Sequence, residues 1–159
     1  MTLEALNTLD RQTLTEALRH CCGSTAWVKK MLAVFPVSDK PQLLDMASKV
    51  WQGCSEADWL EAFSHHPKIG ASTANATAAA EQSGTSTATL QTRQALAEGN
   101  RAYEEMFGYI YIVCATGKSA TEMLQLLQER LNNSPGKEIL VAMGEQQKIT
   151  HLRLEKLLA

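Results

Sequence analysis

The sequence has 159 residues and a formal net charge of −2, with 45% hydrophobic and 20% charged residues. A chain of this length can bury a core as one domain, and its composition is that of an ordinary globular protein, not of a disordered or fibrous one. Lys and Arg residues are spread along the chain and form no basic stripe for nucleic acid. We therefore expect a single domain over residues 1–159 with no nucleic-acid partner.

Targeting signals and cysteine spacing limit the cellular compartment of the protein and the kinds of metal or redox site it can have. The first residues carry two early acids and no apolar run, and no stretch approaches the roughly 18 apolar residues of a membrane span. These features predict a cytoplasmic protein with no membrane partner. Four cysteines (Cys21, Cys22, Cys54 and Cys114) show no CxxC spacing, so we expect buried free thiols and neither a zinc site nor a redox pair.

The first 64 residues predict four helices from apolar periodicity and capping residues. The first covers residues 11–22 after Asp10, and the second covers 26–35 after Thr25. The third runs from Asp39, with Pro41 in its first turn, to residue 51, and the fourth covers 56–64 after a capping-box-like start at Ser55.

Residues 71–89 are rich in Ala, Ser and Thr and have little apolar bulk, which predicts a loop holding one short alanine-rich helix. Such a segment between two well-patterned regions is either a surface linker or a ligand-binding loop. Glu81 and Gln82 favour the binding loop, because they place polar side chains on an otherwise bland segment.

The second half of the chain predicts two long helices and one capped shorter helix around an extended segment. A helix over 90–107 ends at Gly108, Ser119 and Glu122 form a capping box for a helix through 131, and a last helix covers 137–158. Between them, residues 109–115 are a strand-like apolar run that has no second strand to pair with. We predict an all-α fold of seven to eight helices with one buried extended segment, whose main-chain groups need other partners.

Two alternative functions find weak support in the sequence. Residues 116–119 (TGKS) match the end of a phosphate-binding loop, but Ile112 stands where that motif needs glycine, so we interpret Ser119 as a helix N-cap.

A zinc hydrolase could use His65, His66 and His151, since histidine is a common zinc ligand. Adjacent histidines in an extended segment point apart and HExxH is absent, so His65 and His151 are better explained as facing solvent.

A third candidate is general acid–base catalysis by His66, which stands at a predicted helix end before the stiff Pro67. The ordinary pKa of histidine, near 6.5, lets it accept and donate protons at neutral pH. On local pattern alone, a structural histidine and a catalytic one both remain open, as does a helical adaptor with no catalytic function.

Four motifs, taken in order and spacing, resemble the family of 2-oxo-4-hydroxy-4-carboxy-5-ureidoimidazoline (OHCU) decarboxylases. They are HHPKIG at 65–70, the pair Glu81–Gln82, the stretch 100–114 and KITHLRL at 148–154. The resemblance covers nearly the whole chain. Two departures are Ile110, where the family usually has proline, and a shorter, alanine-rich loop between His66 and Glu81.

The resemblance implies an all-helical, cofactor-free and metal-free homodimer that converts OHCU, a small-molecule substrate, to (S)-allantoin. It implies catalytic roles for His66, Glu81 and Arg153. It also implies substrate contacts from Pro67, Gln82 and the backbone of Tyr111, Ile112, Val113 and Cys114, whose unpaired N–H and C=O groups would bind the ureido and ring amides.

The chemistry fits this residue set without a cofactor, because the substrate carries a ring C=N that can accept the electron pair left by carbon dioxide. His66 would handle the 4-hydroxyl proton. Glu81 would either hold the His66 tautomer or destabilise the substrate carboxylate by repulsion. Arg153 would offer a planar fork of donors to a carboxylate or carbonyl; the alternative is a surface charge on the last helix.

Overall fold

The computed structural model describes residues 1–70, 75–85 and 88–159. In this part of the chain the fold is all-α, as predicted, with nine α-helices, one short 3-10 helix and no strand. The helices are α1 Leu3–Asn7, α2 Arg11–Cys21, α3 Thr25–Leu32, α4 Lys40–Gln52, α5 Glu56–Phe63, α6 Ala76–Glu81, α7 Leu90–Phe107, α8 Ala120–Arg130 and α9 Pro135–Leu157, and the 3-10 helix covers Ser83–Thr85. None of these helices is long and apolar enough to cross a membrane.

Most helix starts lie at the predicted caps. Asp10 Oδ1 accepts from the N–H of Thr13 at 2.9 Å, and Asp39 Oδ1 accepts from the N–H of Gln42 at 2.8 Å. The Ser119 capping box is present, and Gly108 ends α7 in the left-handed region at φ 83°. These predictions are confirmed because a cap is a contact between residues three or four apart, which local sequence specifies.

Three features of the first 35 residues differ from the prediction. Helix α1 was not expected, because a segment of five residues is too short for apolar periodicity to show; Thr2 caps it, Leu6 is fully buried, and the Asn7 amide donates to the carbonyl of Val37 and accepts from its N–H, both at 2.9 Å. The N-cap of α3 is Ser24, not Thr25, whose hydroxyl donates to Glu61 at 2.7 Å. Helix α3 also ends at residue 32, three residues before the predicted end.

The loop predicted over 71–89 is described only in part, since residues 71–74 and 86–87 lie outside the described residues. The short alanine-rich helix predicted within it is confirmed as α6, which Asn75 caps through the N–H of Ala78 at 3.0 Å. Its last residue is Glu81. The helix therefore ends at the polar pair that favoured a binding loop.

The chain divides into two compact units, with one boundary at the end of α5 and the other within α9. The first unit contains residues 1–62 and 146–159, and the second contains residues 63–145. The core of the first unit is aromatic and aliphatic, and its tryptophans are also hydrogen-bonded: Trp27 Nε1 donates to the carbonyl of Ala47 at 3.1 Å, and Trp59 Nε1 donates to that of Trp51 at 2.9 Å. The single domain expected over 1–159 stays a prediction.

The core of the second unit surrounds Tyr103, which is fully buried on α7. Its ring lies edge-on to the rings of Tyr109 and Tyr111, with centroids 5.7 and 5.5 Å away, and 4.7 Å from that of Phe107. Aliphatic residues of α7 and α8, including Leu96 and Leu127, complete the cluster. All four cysteines of the chain are free and buried, as expected.

Candidate active site

The loop after α5 carries the histidine pair in the second unit. The N–H of His66 donates to the carbonyl of Phe63 at 3.2 Å, which turns the chain directly after the helix. His65 is exposed and His66 is half-buried, so the two neighbours occupy different environments, but they lie in a turn after the helix and the expected extended conformation is wrong. The loop ends at Gly70, whose φ of 84° lies in the region that favours glycine.

Two side-chain amides fix the end of this loop. Asn100 Nδ2, from the buried side of α7, donates to the carbonyl of Ile69 at 3.0 Å. Gln82 Oε1 accepts from the N–H of Gly70 at 3.0 Å. Because its oxygen is engaged, the amide of Gln82 has a fixed orientation and keeps its NH₂ group as a donor. Gln82 is therefore both a structural support of the loop and a possible ligand contact.

The extended segment 109–115 is held by charged side chains in place of a neighbouring strand. A guanidinium nitrogen of Arg130 donates to the carbonyl of Ile112, and Lys118 Nζ donates to the carbonyl of Cys114 at 2.7 Å. The N–H of Cys114 donates to Glu145 Oε1 at 3.2 Å. This confirms that the buried segment finds partners other than a strand.

The same contacts correct one expectation about substrate binding. The main-chain groups of the segment were expected to be unpaired, but the carbonyls of Ile112 and Cys114 and the N–H of Cys114 already have protein partners. For the N–H and C=O of Val113, which is buried, no hydrogen-bond partner is found among the described residues. The same holds for the N–H and C=O of Tyr111, so Tyr111 and Val113 are the two residues of this stretch whose backbone groups have no partner among the described residues.

The charges around the extended segment act on the Cys114 thiol. Burial raises its pKa, and the negative charges of Glu145 and, more weakly, Glu81 raise it further, against the opposing effects of Lys118 and of a hydrogen bond with the backbone of Thr116. The Glu81 charge therefore has an electrostatic effect on a residue 33 positions away in sequence.

Arg153 belongs to the first unit, where it is only 9% exposed. Its Nη1 donates to the carbonyl of His20, at the end of α2, at 3.0 Å. The interpretation of Arg153 as a surface charge on the last helix is therefore wrong. The sequence missed this burial because the partner lies 133 residues away.

The proposed metal ligands are not arranged as a metal site in the described ranges, which contain no group of three His, Cys, Asp or Glu residues that could hold an ion. His151 is half-buried, and its Nε2 lies 2.6 Å from Ser48 Oγ, so the expectation that it faces solvent is wrong. His65 does face solvent. Ser119, as expected, caps α8.

Sequence reasoning missed the residues that hold the site in place, namely Asn100, Arg130, Glu138 and Glu145. One signal was available for Arg130: it follows Met123 and Leu127 at helical spacing, so it continues the buried stripe of α8. A charged residue on an apolar stripe needs a buried partner.

Comparisons with known proteins show the family to which the chain belongs. The model of the OHCU decarboxylase family matches residues 7–155. The chain is 37% identical over 146 residues to the uric acid degradation bifunctional protein TTL of Arabidopsis thaliana, covering 86% of this chain and 45% of that protein. It is 27% identical over 164 residues to the 2-oxo-4-hydroxy-4-carboxy-5-ureidoimidazoline decarboxylase of Halalkalicoccus jeotgali, covering 99% of this chain and 92% of that protein.

Among solved structures, the chain resembles an OHCU decarboxylase crystallised in the presence of (S)-allantoin. The TM-score is 0.80 at 39% identity, over 88% of this chain and 95% of that chain. A crystal structure of (S)-allantoin synthase shares the fold with a TM-score of 0.76 at 18% identity, over 98% of this chain and 54% of that one.

Proposed function

Because the chain belongs to the OHCU decarboxylase family, we propose that it decarboxylates OHCU to (S)-allantoin in urate degradation without a cofactor. One observation supports the proposal most: the N–H of Gly70, at the end of the His66 loop, donates to Gln82 Oε1 at 3.0 Å. This bond joins two of the sequence motifs on which the resemblance rests.

The proposed reaction needs three proton transfers and one broken C–C bond. As carbon dioxide leaves C4, its bonding electron pair moves toward the ring C=N, whose nitrogen takes a proton, and C4 becomes an enol. The 4-hydroxyl then loses its proton to form the ring carbonyl, and the ureido-bearing C5 gains one. A catalyst must therefore remove a proton from oxygen, deliver one to a single face of C5 and orient the carboxylate.

His66 is suited to the proton transfer at the 4-hydroxyl, because imidazole accepts and donates protons near neutral pH. Positioned acid–base catalysis of this kind typically contributes about 10² to 10⁴ in rate. The fixed loop supports the role, since Asn100 and Gln82 hold its end. Pro67, which is half-buried, would restrict the loop and contact the substrate.

Glu81 and Gln82 would act from the end of α6. The Glu81 carboxylate would either hold the His66 tautomer or repel the substrate carboxylate, and both effects require its negative charge. The Gln82 NH₂ group would donate to a substrate carbonyl. The backbone of residues 111–114 would bind the amide groups of the ureido chain or ring, chiefly through Val113.

Arg153 would bind the substrate carboxylate or a carbonyl, a role that the resemblance alone assigns to it. Its planar guanidinium can form two parallel hydrogen bonds with a carboxylate, which lysine cannot do. The resemblance also supports two further proposals, that the protein is a homodimer and that it is cytoplasmic.

Chirality of the product is the direct test. Urate and urate oxidase generate the unstable substrate in situ, and circular dichroism follows the allantoin formed. Without a catalyst, solvent protonates either face of C5 and the product is racemic. We expect the protein to produce optically active (S)-allantoin; racemic product at an unchanged rate would refute the proposal.

A further inference from the structure

Arg130 is a buried cation that contacts the segment proposed to bind substrate. It ends α8 and is 7% exposed. Its Nε donates to both carboxylate oxygens of Glu138, at 3.1 and 2.9 Å, and its Nη2 donates to Oε2 at 2.8 Å. The remaining nitrogen, Nη1, donates to the carbonyl of Ile112. One side chain therefore joins a buried ion pair to the extended segment.

Glu138 fixes the direction in which Nη1 of Arg130 points. The carboxylate is fully buried and also accepts from the hydroxyl of Tyr103 at 2.7 Å and from Asn133 Nδ2 at 3.1 Å. Its oxygens are thus occupied on several sides, and the bidentate pair holds the guanidinium plane. Burial is the largest effect and lowers the pKa of Arg130, but the hydrogen bond to Glu138 and the electrostatic interactions with Tyr103, Glu138 and Tyr111 together outweigh it, so the pKa is raised and the cation is retained.

The clamp formed by Arg130, Lys118 and Glu145 acts on one edge of the segment. In an extended chain, the N–H and C=O of one residue point to the same side, and those of its neighbours point to the opposite side. Ile112 and Cys114 have the same parity, and all three clamp residues contact these two. On the opposite edge, the N–H and C=O of Val113 and of Tyr111 have no hydrogen-bond partner among the described residues.

We propose that Arg130 is a positioning residue for the decarboxylation, assisted by Lys118, and that it fixes the backbone of residues 112–114 so that Val113 meets the substrate. This inference rests on the proposed function. A fixed backbone lowers the ordering cost of binding, so loss of the clamp should weaken substrate and product binding more than it slows the chemical step.

Two variants separate positioning from simple stability. Arg130→Lys keeps a cation for Glu138 but lacks the second arm that reaches Ile112. Tyr103→Phe disturbs the same buried cluster, because it removes the hydrogen bond to Glu138 and the one that Arg130 Nη2 donates to the hydroxyl at 3.4 Å, yet it leaves the bond from Arg130 Nη1 to Ile112 intact. Both should lower the free energy of unfolding. Only Arg130→Lys should move the carbonyl ¹³C chemical shift of Ile112, and only it should raise KM and the Kd for (S)-allantoin, by about tenfold each.

Lys118→Met provides a second test that does not depend on the folding of the Arg130 variant. Lys118 is half-buried, and methionine keeps most of its stem while it removes the ammonium bonded to Cys114. We expect KM and the (S)-allantoin Kd to rise by about threefold, with kcat nearly unchanged.

The outcomes distinguish a failure of this inference from a failure of the proposed decarboxylase function. A wild-type protein that neither binds (S)-allantoin nor makes chiral product overturns both. An active wild type overturns the inference alone if KM is unchanged in Arg130→Lys and in Lys118→Met. The inference is also overturned if Tyr103→Phe raises KM as much as Arg130→Lys at equal loss of stability, since the effect is then only structural.

Discussion

The main-chain N–H of Gly70 donates to Gln82 Oε1 at 3.0 Å, and this bond joins the histidine loop to the Glu–Gln pair. It reaches across 12 residues of sequence and fixes which end of the Gln82 amide faces away from the loop. The oxygen is used for structure, so the NH₂ group is the part that remains for a ligand. One side chain therefore supports the site and presents a donor to it.

Gln82→Glu should separate these two functions. A carboxylate keeps an acceptor for Gly70 but loses the NH₂ donor and adds a second negative charge beside Glu81. We expect thermal stability close to wild type and an (S)-allantoin affinity, measured by calorimetry, that is lower by about tenfold. Gln91→Glu, at an exposed position of α7, is the control for added charge and should bind normally. Normal binding by the Gln82 variant would show that its amide has only a structural role.

The histidine pair allows a direct comparison of catalytic and bystander residues. His66→Asn keeps roughly the size and hydrogen bonding of the ring but removes its titratable group, so we expect a folded protein with a rate of chiral product formation lower by about 10² or more. His65→Asn should cost little, because His65 is exposed. Equal losses in both variants would contradict the assignment and favour a site that uses both rings.

Arg153→Lys tests the guanidinium fork. Lysine retains the charge but cannot donate two parallel hydrogen bonds to a carboxylate, so we expect kcat/KM to fall by about 10². Because Nη1 of Arg153 also donates to the carbonyl of His20, the free energy of unfolding of the variant should be measured together with its kinetics. Arg101→Lys, at an exposed position of α7, is the control. A variant that loses stability but keeps kcat/KM would show that Arg153 serves the fold alone.

Two helix glycines should respond in opposite directions to alanine. A Cβ at Gly99 in α7 would lie 2.6 Å from Leu127 Cδ2, so Gly99→Ala should destabilise the protein by about 1 to 3 kcal/mol through overpacking. A Cβ at Gly144 in α9 meets nothing within 4 Å, so Gly144→Ala should stabilise by about 0.5 to 1 kcal/mol through helix propensity. Urea denaturation measures both changes, and equal signs would contradict the packing argument.

The buried thiol of Cys22 should make the protein less stable in alkali. Burial raises its pKa to about 12, from a usual value of 9.0. Below pH 9 the thiol is neutral in the folded and in the unfolded protein, so its contribution to the free energy of unfolding is fully present in that pH range. Between pH 9 and about 12 only the unfolded state ionises, and stability falls as the pH rises.

Cys22→Ala should flatten that decline. Each such thiol contributes a slope of up to about 1.4 kcal/mol per pH unit, and the variant lacks one of them. Its stability at pH 7 should fall by about 1 kcal/mol because of the lost volume. Denaturation of both proteins measured from pH 8 to 10 provides the test, because the ionisation of unfolded tyrosines near the top of this range affects both proteins alike. An unchanged slope would show that Cys22 is accessible to solvent.

Local sequence by itself determined where most helices begin and end. Three helices are capped through contacts with residues three positions away, by Asp10, Asp39 and Ser119. Gly108 ends α7 because glycine adopts the left-handed region without strain. The lone strand-like run was predicted as an extended buried segment for the same reason: its apolar pattern is local, and one strand cannot form a sheet. The candidate site, however, came from the order of four motifs and not from local pattern.

Only the tertiary structure decided which polar groups meet. Arg130 reaches Ile112 across 18 residues, Cys114 reaches Glu145 across 31, and Arg153 reaches His20 across 133. No periodicity encodes such pairs, because burial selects a partner by its position in space and not by its spacing in sequence. The need to satisfy buried charges and main-chain groups therefore set the partners of the extended segment, and with them the edge that stays open for a ligand.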